Sequence, residues 1–208
     1  MDAADELKTH LRQLASLRGP EAVQPAALRD LKRFQSERLA RSYADIAAEP
    51  RYRAATEFFL GHLYGPKDFS RRDAEMLRVL PAMTAMLPRS ALETAALAIE
   101  LEALSEGLDH RSAATLGPGP LDEERYGQAY RAGSTRPERE RQIDLIVAVG
   151  RRLDSLVTMP LVYRTLKLMR RPAKLAGLER EGRAPSRLDV ALAGLAPATM
   201  SDYRRKPS

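Results

Sequence analysis

Apolar residues recur along most of this chain at steps of three and four, the spacing that gathers side chains on one face of an α-helix. Leu7, Leu11, Leu14 and Leu17 form such a stripe and predict a helix over 4–18, stopped by Gly19 and Pro20. A second helix is expected from Pro25, where the missing N–H does no harm, with a partly apolar stripe of Leu28, Leu31, Gln35, Leu39, Ser42 and Ile46. Pro50 suits the first turn of a third helix reaching about Tyr64, rich in Phe58, Phe59, Leu60 and Leu63 and ended by Gly65 and Pro66. Ser70 followed by Asp73 reads as the start of a fourth, through Met76, Leu80, Met83 and Leu87, with a kink or break expected at Pro81.

Pro88 opens the next helix, from Arg89 to about Asp109. Leu92, Ala95, Ala96, Ile99, Ala103 and Leu104 share one face, and Leu97, Leu101 and Leu108 widen it. A helix apolar around so much of its circumference belongs at the centre of a fold. Gly117-Pro118-Gly119-Pro120 forms the clearest linker, dividing two helical halves. Beyond it a short polar helix runs from Leu121 to about Ala132, and Thr135 with Glu138 marks a capping box. The helix that follows, through Ile143, Ile146, Val147, Leu153 and Val157, is the next most periodic element. Pro160 bends or ends it, and a further piece runs from Leu161 to Arg171.

These patterns predict an all-α fold: one bundle of six to eight helices over 1–178, with a flexible, poorly packed C-terminal tail over 179–208. An ending rich in Arg, Ala and Pro is also what a GC-rich gene yields in a shifted reading frame, and both accounts stay open. With aromatics at 5% and no tryptophan, the core must be built from Leu, Ala, Met, Val and Ile, which favours helix packing over a pleated sheet. The absence of cysteine excludes disulfides, thiolate metal sites and a cysteine nucleophile. The acidic N-terminal stretch resembles no signal peptide and no run is apolar enough to span a membrane, so a soluble, cytoplasmic protein is expected.

The block FFLGHLYGPKDFSRRDAEMLRVLPAMTAMLP, Phe58 to Pro88, resembles the signature of a family of uncharacterised bacterial helical proteins, a domain of unknown function. Ala103-Leu104-Ser105-Glu106-Gly107-Leu108-Asp109 and the run LVTMPLVYRTLKLMRRPAKLAGL ending at Leu178 are similar too, so the resemblance covers about Pro25 to Leu178. It implies an all-helical fold and brings no activity or catalytic residues. In that family the chain after the AKLAGL run continues into an amphipathic segment containing aromatics, and this sequence departs from the pattern there.

Candidate chemistry is sparse. No phosphate loop, nucleophile elbow, zinc spacing or Glu-x-x-His unit occurs, so no catalytic residue, metal site or cofactor is predicted. Glu106 and His110, one turn apart, come nearest to a ligand pair and are expected to form an exposed ion pair near a helix end. Met76, Met83 and Met86 are expected to fill the core. His62, beside Phe58, Phe59 and Tyr64, is a candidate haem ligand or a solvated histidine at a helix C-terminus. The joint holding Tyr64, Asp68, Arg72 and Asp73 is either the wall of a ligand pocket or a turn whose polar groups cap a helix.

The net charge of +6 is modest. The basic run Arg164, Lys167, Arg170, Arg171 and Lys174 is either a surface for an anionic partner or the solvated face of a packed helix, and nucleic acid is disfavoured as the partner. The leading expectation is therefore a non-enzymatic helical protein that binds a protein partner or itself. The alternatives are a ligand- or haem-binding enzyme or sensor around His62, Tyr64 and Arg72, and a nucleic-acid-associated factor using the basic helix 164–174.

Overall fold

The computed structural model describes residues 2–18, 25–50, 52, 76–78, 80–81 and 84–157. The expected C-terminal tail, the helix through Phe58 to Tyr64, the Ser70 start and the break at Pro160 lie outside the described residues. The fold is all-helical, and no strand occurs among the described residues. The helices whose bounds fall among the described residues are, in chain order, α1 (Ala3–Arg18), α2 (Ala26–Ser42), α3 (Ala44–Ala48), α4 (Arg89–Ala114), α5 (Glu123–Ala132) and α6 (Arg136–Val157). None of the helices among these residues is long and apolar enough to cross a membrane.

Helix α4 is the hub, as its broad apolar circumference predicts. It packs most extensively on α1, then on α6, α2 and α5. Leu7, Leu11 and Leu14 of α1 are fully buried against Leu92, Ala96, Ile99 and Ala103 of α4, with Leu80 completing the cluster. Alanine at 96 and 103 leaves room for the leucines of α1, and each fully buried leucine contributes roughly 2 kcal/mol through the surface it removes from water. Met76 and Leu77 pack on this cluster from the side, as expected of Met76, while Met86 is half-buried and Met83 lies outside the described residues. Leu17 lies at the edge of the seam, and Arg18 is buried in its place.

Helix α2 starts just after Pro25, whose carbonyl accepts from the N–H groups of Leu28 and Arg29. It buries Leu28 and Leu31 against Ala113 in a second, smaller cluster that Leu116, Leu121 and Tyr126 flank. The rest of the expected stripe is less deeply placed: Gln35 and Leu39 are half-buried, while Ser42 and Ile46 are exposed. Polar side chains on three sides let α2 pack by one face only. Pro50 and Tyr52 are helical, as a start near Pro50 requires.

Helix α4 runs five residues past Asp109, to Ala114. Nothing between Asp109 and Ala114 breaks a helix, and Ser112 and Ala113 are buried. The Gly-Pro linker then turns the chain back onto α4. Gly119 adopts φ 117°, which only glycine takes without strain, and the guanidinium of Arg125 gathers the carbonyls of Gly117, Pro118 and Pro120. Asp122 caps α5 by accepting from the Arg125 N–H at 2.9 Å. At the head of α6, Glu138 reaches back to the Thr135 N–H at 2.8 Å, the reciprocal half of a capping box. The Thr135 hydroxyl donates to the same carboxylate at 2.9 Å.

Between α5 and α6 the chain passes so close to α4 that a Cβ at Gly133 would lie 2.4 Å from the Ser112 nitrogen and 2.5 Å from its Cα. The Gly133 φ of −85° is ordinary, so space rather than backbone freedom demands glycine here. Gly133→Ala is expected to destabilise the fold by about 2–3 kcal/mol, because α5 or α6 must retreat from α4. Urea unfolding of the variant measures this, and unchanged stability would contradict the close crossing.

Candidate functional site

Charged residues are seldom buried without partners, and the interior of this protein holds a group of them where α1, α2 and α4 meet. Glu106 of α4 is 3% exposed and Arg18, the last residue of α1, is 7% exposed. Arg18 donates to Glu106 at 2.8 Å and to Glu102, one turn away, at 2.9 Å. Lys32 of α2 donates to the other Glu106 oxygen. The placement follows from local sequence: Glu102, Glu106 and Asp109 fall along one side of α4, while Lys32 follows the buried Leu31 on α2. Helices α1 and α2 thus each bring a cation, and α4 brings acids, to the junction beside their apolar stripes.

Burial alone would raise the Glu106 carboxyl, but the charges of Arg18 and Lys32, with their hydrogen bonds, outweigh it and hold it below the usual carboxylate range. Asp109, one turn further along α4, behaves oppositely. Desolvation lifts its carboxyl to about 6, and a hydrogen bond from Gln35 at 2.9 Å offsets this only in part. Burial likewise raises the phenol of Tyr126, which stands between Phe34 of α2, at 5.2 Å between ring centroids, and Tyr130 of α5, at 6.0 Å. Arg38 lies over Tyr126 and Arg139 over Tyr130, so cation–π contacts continue the ladder from α2 to α6.

The expected exposed ion pair of Glu106 with His110 is therefore corrected. Glu106 is buried, and its oxygens serve Arg18 and Lys32, with the His110 Nε2 at 3.5 Å as a further neighbour. The expectation failed because the residues that bury Glu106 lie 74 and 88 positions earlier in the chain. Two cations stand where a metal ion would, and no group of three His, Asp or Glu suited to a metal occurs among the described residues. The arrangement is a structural clamp, and desolvation places the Asp109 carboxyl where it titrates in mildly acidic solution.

His62, Tyr64, Asp68, Arg72 and Asp73 lie outside the described residues, as do Arg164, Lys167, Arg170, Arg171 and Lys174. Arg78, near the former group, is exposed. Two shallow grooves, of about 240 and 320 Å³, flank the Gly-Pro linker and share Leu116, Gly117 and Arg125. The Arg125 guanidinium already holds linker carbonyls, so neither groove offers it to a ligand.

A different feature stands out on α6. Leu145 faces α4, and the flanking ties are polar: Gln142 to Ser105 at 2.7 Å, Arg141 to Glu100 at 2.6 Å and Arg152 to Glu93 at 2.8 Å. Its strongest apolar stripe turns the other way. Ile143 is 59% exposed, Ile146 46%, Val147 45% and Leu153 42%. The periodicity of this helix was legible in the sequence, but which side meets α4 was not, since both sides carry apolar residues.

A family model described as Domain of unknown function (DUF8198) matches residues 16–180. The chain belongs to this family. The match spans α2 to α6 and takes in the clamp, the linker and the exposed α6 stripe. No curated protein and no solved structure matches the chain.

Two pH effects follow from the clamp. Asp109 binds its proton more tightly folded than unfolded, so its contribution to stability falls as pH rises from about 4 to about 6 and is level above that. Asp109→Asn keeps an acceptor for Gln35 and is expected to stabilise the protein by about 1–2 kcal/mol at pH 7.5, with little effect at pH 4. Denaturant midpoints at the two pH values check this, and an equal shift at both would refute it. Glu106 has the opposite sign: its contribution is full above the unfolded value of 4.5 and is lost as pH falls through its lower folded value. Glu106→Gln is expected to cost about 3 kcal/mol near neutral pH, because Arg18 and Lys32 lose the charge that compensates them. Guanidinium unfolding of that variant would show a midpoint near the native one if the clamp carried no weight.

Proposed function

We propose that this protein is a non-enzymatic interaction module that presents the outer side of α6 to a protein partner. The observation that carries this reading is the exposure of Ile143, Ile146, Val147 and Leu153 along one side of a helix whose other side is fixed to the hub. Scattered surface hydrophobics need no explanation, but a contiguous row on a rigid helix is the form in which helices engage partners. The buried acid–base groups support the same view, since Glu106, Arg18 and Lys32 satisfy one another and hold three helices together.

The helix is well supported for such a role. Its first turn is capped by Glu138, its inner side is tied to α4 at three levels, and Arg111 links Glu138 and the Gly133 carbonyl from below. A partner would therefore meet a surface already in its bound shape, which lowers the ordering cost of association.

The reading is tested by placing a photo-crosslinking benzoylphenylalanine at Val147 of the full chain in cells that produce it. Light-dependent protein adducts are expected at Val147 and not at Arg12, an exposed position on α1. Adduct levels at Val147 no higher than at Arg12 would overturn the reading.

A further inference from the structure

Resting on that reading of α6, we infer that the partner is a second copy of this chain, bound through an antiparallel α6–α6 contact centred between Val147 and Ala148. Two observations carry this. The first is the charge at the edge of the apolar stripe. Asp144 and Arg151 are seven residues apart, so they lie on the same flank of the helix, and both are exposed. A two-fold axis that reverses one helix against the other brings like flanks together. With its centre between Val147 and Ala148, Asp144 of each copy stands level with Arg151 of the other, forming two symmetric ion pairs. A parallel arrangement sets opposite flanks together and makes neither pair.

The second observation is Gly150. Glycine inside a helix weakens it relative to alanine, and among the described residues nothing requires it: an added Cβ would meet none of their atoms within 4 Å beyond its own helix backbone. In the antiparallel register Gly150 lies within one residue's rise, about 1.5 Å, of the level of Ile146 of the other copy, so the missing side chain leaves a seat for an isoleucine. Ile143 falls within the same distance of the level of Leu153, and Val147 lies next to its own counterpart at the axis. The apolar row, the gap at Gly150 and the charged flank all fit one register, which is what an isologous contact requires. A single helix pair is small among specific interfaces, so the dimer is expected at micromolar rather than nanomolar concentration.

The test is sedimentation equilibrium of the purified full chain from about 1 to 500 µM, a range that brackets micromolar affinity. A reversible monomer–dimer equilibrium is expected. Asp144→Arg and Arg151→Asp should each weaken it about tenfold or more by setting like charges together, and the double exchange should restore it. Both positions are exposed, and circular dichroism confirms that each variant keeps its helices. A chain that stays monomeric throughout, or a double exchange that restores nothing, overturns the proposal.

Because the chain has no cysteine, orientation can be read from disulfides. Ile143→Cys mixed with Leu153→Cys should form a mixed disulfide readily, whereas Ile143→Cys alone should not, its two copies lying about 13 Å apart along the axis at 1.5 Å per residue. The reverse result means parallel pairing and sinks the register. The crosslink at Val147 separates this proposal from the broader reading. An adduct with a different protein, or with residues 158–178 of the same chain, overturns the self-pairing. The former leaves the interaction role standing, and the absence of any adduct removes both.

Discussion

One carboxylate holds this fold in its particular shape. Apolar burial alone would let α1 slide along α4, because leucines against alanines and isoleucine make a contact with little directional preference. Glu106 removes that freedom. Once it is buried, its charge must be met, and the structure meets it from two other helices through Arg18 and Lys32. The register of α1 on α4, and of α2 on α4, follows from the requirement that charged groups from three helices converge out of water. Such a clamp need not add net stability over an apolar substitute, but leaving any member without its partners is costly, and this selects one arrangement among many of similar packing quality.

The hub arrangement also accounts for α6. Helix α4 is surrounded by α1, α2, α5 and α6, so every helix in contact with it has an inner side and an outer side. For α1 the division is simple, with leucines inside and, apart from Arg18, charges outside. For α6 it is not, because the inner seam is built from Leu145 flanked by ion pairs and amide contacts, and the richer apolar row is left outward. Ion pairs at a partly exposed seam hold position more than they stabilise. A helix attached in this manner is suited to present a surface, and the antiparallel match of Asp144 with Arg151 gives that surface a definite counterpart.

Much of the architecture was legible in the sequence because helix punctuation is local. Pro25, Pro88, the Gly-Pro linker and the Thr135–Glu138 cap act within a few residues, and each marks a helix boundary where the pattern places it. The centrality of α4 was readable for a related reason: apolar residues around so much of the circumference leave little of it for solvent. What the pattern concealed is long-range. The burial of Glu106 depends on residues far along the chain, the need for glycine at 133 on the backbone of Ser112, and the outward turn of the α6 stripe on which of two apolar sides α4 accepts. Even so, Glu102 and Glu106 beside an apolar stripe carried a signal, since acids one turn apart on the flank of a central helix call for cations from neighbouring helices.

The most direct test of this account is a double-mutant cycle on the clamp, with Arg18→Met, Glu106→Gln and the pair compared by denaturant unfolding near neutral pH. The account predicts strong coupling, the double variant being more stable than the sum of the single losses by about 2 kcal/mol, since each single change leaves a buried charge short of a partner, Arg18 with Glu102 alone or Glu106 with Lys32 alone, and the double change removes both of those charges. Additivity within about 0.5 kcal/mol would show that Arg18 and Glu106 act independently, and the clamp could not then set the packing of α1, α2 and α4.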